Sequence, residues 1–566
     1  MFVLSQGSQR DSGLETVSLH ETFCTACCDC RPRLRCGSRS TKHSSERSMK
    51  ISSTQTFRVA AMASTAFFIF FPLLHAAVVL FNLIVHLFVL GLQFCCTLLP
   101  RKKAGAPARW KGTPFFSILV PAHNEPPELL AETLRSLAQL RWKQFEVLVV
   151  DNNTEDESLW RPVEALCKQL GPRFRFLHVE GLKGAKAGAI NWARPLIDPR
   201  AEFLFVIDAD YVLEPEALRR AVRYADEDVG LVQFPQDYRN IGPGNTGMAL
   251  DFRHFFSAYM HMANQLGCVP STGTLTLIRV SALDEVHGFN PGVVTEDADL
   301  GFRLNSAGHR TVYADEVIGR GLMPHDLEAV KKQRWRWAFG NAQILKLNWR
   351  QLVFGRELSP RQKLGYLVHL TAWFNFNLIP SLSLIALAPL VLLERLHPVH
   401  PYLIVLSGFT LTTFMFLRFG TLYSSLRRDG HTVREIANAF VTHVGLGWIF
   451  GISWIRCLWD HHSPFVRTNK FLTAAVPGVL RNTMAELLLG IGLVIACIVL
   501  TMADFILGPV AAVAMSLGRF MIYWVWWQSK ATWRISVALH KQATGQLEQS
   551  LADVAPEAGE LQLVES

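Results

Sequence analysis

Charge is what this chain lacks over its longest stretches. Between Ser64 and Leu99 there is no Asp, Glu, Lys or Arg, which excludes an ordinary solvated surface there. A regularly spaced cysteine framework is missing too. The eleven Cys residues are spread mostly singly, which argues against a disulfide framework and fits a domain facing a reducing compartment. The one cluster, Cys24, Cys27, Cys28, Cys30 and Cys36, lacks a second well-spaced pair to complete a zinc site. Its Ser/Arg-rich surroundings read as an extension without a fold, and Met49 reads as a second candidate start.

At 50% hydrophobic composition and a mean hydropathy of +0.19, the chain is too apolar for an ordinary soluble enzyme. It nevertheless holds a long stretch of normal polarity, the signature of a soluble domain built into a membrane protein. The formal charge of +9 raises a nucleic-acid partner, but the basic residues cluster beside apolar segments. The positive-inside rule accounts for them, and no nucleic acid is expected.

Five parts follow from this pattern: an extension over 1–60, membrane segment over 61–100, a cytoplasmic domain over 101–349, membrane and interfacial helices over 350–530, and a cytoplasmic tail over 531–566. The first apolar run is long for one crossing of about 20 residues and tight for two. Lys50 and Arg58 upstream favour a hairpin. Further apolar segments lie near 366–393, 402–422, 437–458, 483–502 and 505–527. Five crossings would put the basic loops 424–434 and 459–481 on opposite sides. The Gly-rich segment 437–458 is therefore expected at the interface, leaving four spans in a plasma-membrane protein with a cytoplasmic C-terminus.

Residues 113 to about 345 alternate short apolar runs (FFSILVPA, FEVLVV, FRFLHV, EFLFVI, VGLVQF) with amphipathic segments such as PPELLAETLRSLAQL. Buried strands separated by helices predict an α/β domain with a mostly parallel sheet. Such sheets bind ligands outside the carboxyl ends of their strands. Asp151 follows FEVLVV there, and Asp208 and Asp210 follow EFLFVI.

The Asp208–Asp210 pair sits two apart, and on an extended chain such side chains share a face. Converging carboxylates repel unless a cation lies between them, and hard oxygen ligands suit Mg²⁺ or Mn²⁺ with a diphosphate completing the shell; the competing reading is a solvated turn. Asp151 either adjoins a nucleotide, if the PAHNEPP loop carrying Glu125 lines the same crevice, or closes its strand as an Asx-turn. Lys183 and Lys186 offer cations for phosphate oxygens among glycines that allow close approach. In QRWRW, arginine forks suit phosphate and indole faces suit sugar rings, unless the stretch is an interfacial aromatic belt. Gln333 shares a helical face with Arg336 and with Trp337. In VVTEDADLGFRL, the plain reading has Thr295 capping a helix with an acidic first turn.

PAHNE, VDNNTED, KAGAIN, DAD, TED and QRWRW occur in that order, and the set resembles the membrane-integrated, processive family 2 inverting glycosyltransferases, such as cellulose and hyaluronan synthases. The resemblance covers about residues 60 to 530. It implies a Rossmann-like GT-A domain inserted between transmembrane helices. It also implies that Asp208 and Asp210 hold a divalent metal, and that Glu125, Asp151, Lys186 and Asp208 bind the donor nucleotide. Asp297 would be the general base, and Gln333, Arg336 and Trp337 would line the acceptor site.

FVRTNK is similar to the gating loop of cellulose synthases over 459–472, which implies gating roles for Phe465, Thr468 and Lys470, although Arg467 stands where the pattern has Val. FPQDYRN, STGTLTLIR and GLMPHDLEAVKKQRWRWAFGNAQILK look most like bacterial β-(1,3)-glucosyltransferases. The implied activity is transfer of glucose from UDP-glucose to a β-glucan, with membrane lipid around the helices. Another β-linked polysaccharide, or transfer of one sugar to a lipid carrier, stays open.

Overall fold

The structure, a computed structural model, describes residues 71–101, 112–242, 244–460, 478–502 and 508–554. The predicted extension over 1–60 with its cysteine cluster, and Phe465, Thr468 and Lys470, lie outside the described residues. An apolar helix, α1 (Pro72–Thr97), precedes the sheet. It is one unbroken helix of 26 residues, long enough for one crossing; the start of the charge-free run, and with it the expected hairpin, lies outside the described residues.

The apolar runs become strands whose alternate side chains enter two cores. From β1 (Phe115–Ala122), Phe116, Ile118 and Val120 enter one core and Leu119 the other. β2 (Phe145–Asn152) divides likewise, Val147 and Val149 on one face and Leu148 on the other. Helix α2 (Pro127–Ala138) covers the first face with Leu130, Leu134 and Leu137, joined by Val163 and Cys167 of α3 (Glu157–Leu170). Helix α4 (Ala185–Ala193) covers the second with Ala187, Ile190 and Ala193. The result is a three-layer α/β/α sandwich.

The main sheet also takes β3 (Phe174–Val179), β4 (Ala201–Val206), β6 (Val229–Gln233), β8 (Thr276–Arg279) and β9 (Arg310–Tyr313), in the order β3-β2-β1-β4-β8-β6-β9. Short strands β5 (Val212–Leu213), β7 (Asp237–Tyr238) and β10 (Gly319–Gly321) pair in a second sheet. The sheet is mostly parallel, as expected, with one reversed strand that makes it mixed. β8 runs antiparallel to both β4 and β6, because the chain reaches it from a helical excursion over 246–266 rather than through a crossover helix.

Helix α5 (Glu296–Ser306) follows β8, and α6 (Leu327–Phe354) leaves the sheet for the apolar helices. Those are α7 (Pro360–Leu370), α8 (Leu378–Leu392), α9 (His400–Arg428), α10 (Val433–Gly445), α11 (Gly447–Trp459), α12 (Val479–Met502) and α13 (Gly508–Val554). Among the described residues α1, α9 and α12 are long and apolar enough to cross a membrane. The segment expected at the interface is the pair α10 and α11, bent by 41°. The predicted crossing over 366–393 is broken. Helix α7 stops at Leu370, Asn375 Oδ1 takes the backbone N–H of Asn377 at 2.9 Å, and α8 has only 15 residues. The predicted tail from 531 is helical as far as Val554; its Leu539 and Ala543 are buried and Gln542 Nε2 donates to the Asn240 carbonyl at 3.4 Å.

Candidate active site

A cleft of about 420 Å³ opens at the carboxyl ends of β1, β2 and β4, within the range of about 300–1,000 Å³ usual for small-molecule sites. Of the residues predicted from sequence, Glu125, Lys186, Asp208, Asp210, Asp297, Gln333, Arg336 and Trp337 all line it. They come from five places in the chain, brought together because strands of one sheet end on one edge.

Asp151 does not line the cleft. It is buried, its Oδ1 accepting from Thr154 Oγ1 at 2.6 Å and its Oδ2 facing His178 Nδ1 at 2.8 Å. The following Asn152 and Asn153 line the cleft instead. Asn153, at a φ of 56°, turns the chain there and bridges to Leu182 through both its Oδ1 and Nδ2. The Asn pair was missed in the sequence, although Asn tolerates this left-handed turn better than most residues. Lys183 is exposed and also stays out of the cleft.

Asp208 and Asp210 are not on an extended strand as expected. β4 ends at Val206, and the pair lies in a turn closed by the Tyr211 N–H to the Asp208 carbonyl at 3.2 Å. Lys186 Nζ donates to Asp208 Oδ1 and, at 2.6 Å, to the Gly273 carbonyl. Asp210 Oδ2 accepts from the Leu322 N–H at 2.8 Å. Among the described residues no third His, Cys, Asp or Glu joins a cluster able to hold a metal. Two carboxylates fit a hard divalent cation whose remaining ligands are substrate phosphate and water, and do not fit a closed protein cage.

Thr295 stands at the N-cap position of α5, but its side chain makes no capping bond, so the plain capping reading is corrected. Its Oγ1 is buried without a partner among the described residues. Asp297 Oδ1 takes the Ala298 N–H at 2.8 Å. Gly273, with a φ of +83°, leaves room on the other side: a Cβ there would stand 2.7 Å from Asp297 Oδ2. Burial, then the adjacent Asp297, pushes Glu296 up to about 7. Burial also raises Asp297, against the pull of the Ala298 N–H and of Lys186. Burial lowers Arg336, opposed by Glu296, Asp208 and Asp297. Helix α6 supplies Gln333, whose buried Oε1 has no partner among the described residues, and Trp337, which packs edge-on to Phe252 at 5.1 Å.

The family described as "Glycosyltransferase like family 2" matches residues 113–340. Those residues, somewhat less than half of the chain, are similar to a family 2 glycosyltransferase domain. The mixed α/β sheet is of the GT-A-like type, and the family match covers all eight cleft residues named above. A probable glucomannan 4-beta-mannosyltransferase of Arabidopsis thaliana is 28% identical over 271 residues, 45% of this chain and 50% of that protein. The UDP-forming cellulose synthase catalytic subunit of Xanthomonas axonopodis is 26% identical over 279 residues, 48% of this chain and 37% of that protein. The chain thus spans half or less of the curated relatives it matches. A solved mannosyltransferase from Pyrobaculum calidifontis, in complex with GDP-Man and Mn²⁺, is 18% identical and has a TM-score of 0.46, over 68% of this chain and 99% of that one.

Proposed function

We propose that the chain is a processive, inverting glycosyltransferase that moves glucose from UDP-glucose onto a growing β-glucan, β-1,3-linked, and passes the polymer through its own membrane helices. The observation that carries this reading is that Asp297 shares one cleft with Asp208, Asp210 and Trp337. A base in one cleft with a diphosphate-binding pair and an indole platform is what sugar transfer from a nucleotide needs.

In this reading the sugar of the acceptor stacks on Trp337, and its hydroxyl gives its proton to Asp297 as the oxygen attacks the donor's anomeric carbon. The bond from that carbon to the diphosphate breaks, and UDP leaves. Lys186 and Arg336 offset the charge that builds on the diphosphate. Mg²⁺ or Mn²⁺, held by Asp208 and Asp210 with the donor, would add electrostatic stabilisation of the leaving group. Attack from the opposite face turns an α-linked donor into a β-linked product.

The similarity to cellulose synthases and 4-beta-mannosyltransferases favours a second reading, a β-1,4-linked glucan or mannan made by the same chemistry. Incorporation of labelled UDP-glucose by the purified, detergent-solubilised chain with Mg²⁺, followed by digestion with β-1,3- and β-1,4-specific glucanases, separates the two. A product cut only by the β-1,3 enzyme is expected. One cut only by the β-1,4 enzyme replaces the linkage, and incorporation only from another sugar nucleotide replaces the donor. Absence of incorporation from every sugar nucleotide would end the reading.

A further inference from the structure

A smaller cavity of about 60 Å³ adjoins the main cleft, sharing Gln236, Thr272, Thr295, Asp297 and Trp337 with it. The rest of its wall is largely aromatic, from Phe252, Phe255, Phe256 and Trp373. Set into that wall is His369 of α7, 3% exposed, with no hydrogen-bond partner for either ring nitrogen among the described residues. Thr295 Oγ1, on the shared wall, is buried and unpartnered as well.

Burying such groups unpaired costs free energy, and apolar side chains would fill the space without that cost. An imidazole offers one donor and one acceptor, and a hydroxyl offers both. Polar groups of this kind between aromatic faces match the edge and the faces of a sugar ring. The volume holds about four waters or one edge of a pyranose. Thr295 is also held in place. Gly340 of α6 packs against it so closely that a Cβ there would lie 2.3 Å from its hydroxyl, which sets Thr295 relative to Trp337 on the same helix.

We propose that Thr295 and His369 form a hydroxyl-reading subsite for the acceptor chain and decide which of its hydroxyls is presented to Asp297. The proposal rests on the glycosyltransfer reading above and deepens it. His369 lies beyond the family-matched residues 113–340, so part of the specificity comes from the helix that leads to the membrane segments.

The test uses the full chain in detergent with Thr295→Val, His369→Leu and His369→Gln. Three quantities are measured: the Kd of β-linked gluco- and manno-oligosaccharides by calorimetry, the KM for acceptor and donor, and acceptor-free UDP release. Thr295→Val and His369→Leu are each expected to weaken oligosaccharide binding about tenfold, the loss of a buried hydrogen bond or two, with donor KM and UDP release unchanged. His369→Gln, which keeps a donor and an acceptor, is expected to recover most of the loss. Unchanged oligosaccharide Kd with a raised Tm in Thr295→Val and His369→Leu would overturn the proposal, because that is how apolar filling of an idle cavity behaves. Should His369→Leu fail to fold, Thr295→Val decides alone. If wild-type protein releases UDP from no sugar nucleotide, the glycosyltransfer reading falls. The oligosaccharide Kd then judges the subsite separately, and no binding by the wild type would overturn it.

Discussion

Arg334 and Asp251 form an ion pair at 2.7 Å with both side chains at 0% exposure. The guanidinium carbon lies 4.1 Å from the Phe252 ring centre, 4.8 Å from Trp337 and 4.9 Å from Trp373. The other Asp251 oxygen meets His443 Nδ1 at 2.9 Å. One charge pair therefore joins the helical segment Thr246–His254, α6 and α10 beside the Trp337 indole that lines the cleft.

Removing one partner strands the other as a buried charge, so Asp251→Ala is expected to destabilise by about 3–5 kcal/mol. The double replacement Asp251→Leu with Arg334→Met is expected to cost less, since no charge is left behind. Thermal unfolding in detergent compares them, and a double variant worse than the single one would refute the argument.

Asp297→Asn keeps the shape of the cleft and removes the proposed base. Transfer is expected to fall by about 10² to 10⁴, with the Kd for the sugar nucleotide retained. Near-normal turnover would remove Asp297 from that role.

Burial raises both Glu296 and Asp297 above the ordinary carboxylate range. A base must be unprotonated to act, so kcat/KM is expected to climb with pH through an acid limb lying above the usual carboxylate value of about 4. The charge on Asp297 helps to push Glu296 up to about 7, so Glu296 is still protonated while Asp297 ionises, and Glu296→Gln should leave that limb in place. Stability has the opposite sign: the folded state holds these protons more tightly than the unfolded chain, so the fold weakens as pH rises through the same limb. A rate profile flat across this region would show that Asp297 does not titrate in catalysis.

Gly340→Ala places a Cβ 2.3 Å from Thr295 Oγ1 and 2.4 Å from its Cγ2. Helix α6 must shift, with an expected cost of about 1–3 kcal/mol and a higher acceptor KM as Trp337 moves. Thr295→Ala in the same chain should restore part of the stability. Loss of stability unrelieved by that second change would place the strain elsewhere.

How legible the molecule was in its sequence differs from element to element. β1 and β3 were read to their last residues, because a short apolar run between polar segments is a local signal. β8, with only four residues, was not read as a strand, since its direction and place depend on partners far along the chain. Asp208, Asp297, Gln333, Arg336 and Trp337 were recognisable as one set from motif order. In QRWRW, however, both arginines looked like ligand donors, and only the packing separates them: Arg336 lines the cleft while Arg334 is sealed against Asp251.

By itself, the sequence determined the five apolar strand runs, the longest apolar helices and the set of residues that meet in the cleft, because periodicity, charge and motif are written locally. Tertiary structure alone decided that Asp151 stays out of the cleft while Asn152 and Asn153 line it, that Thr295 does not cap its helix, and that His369 shares a cavity with Trp337. Those outcomes depend on which remote side chain occupies the adjacent space, and close packing between distant segments leaves no trace in local order.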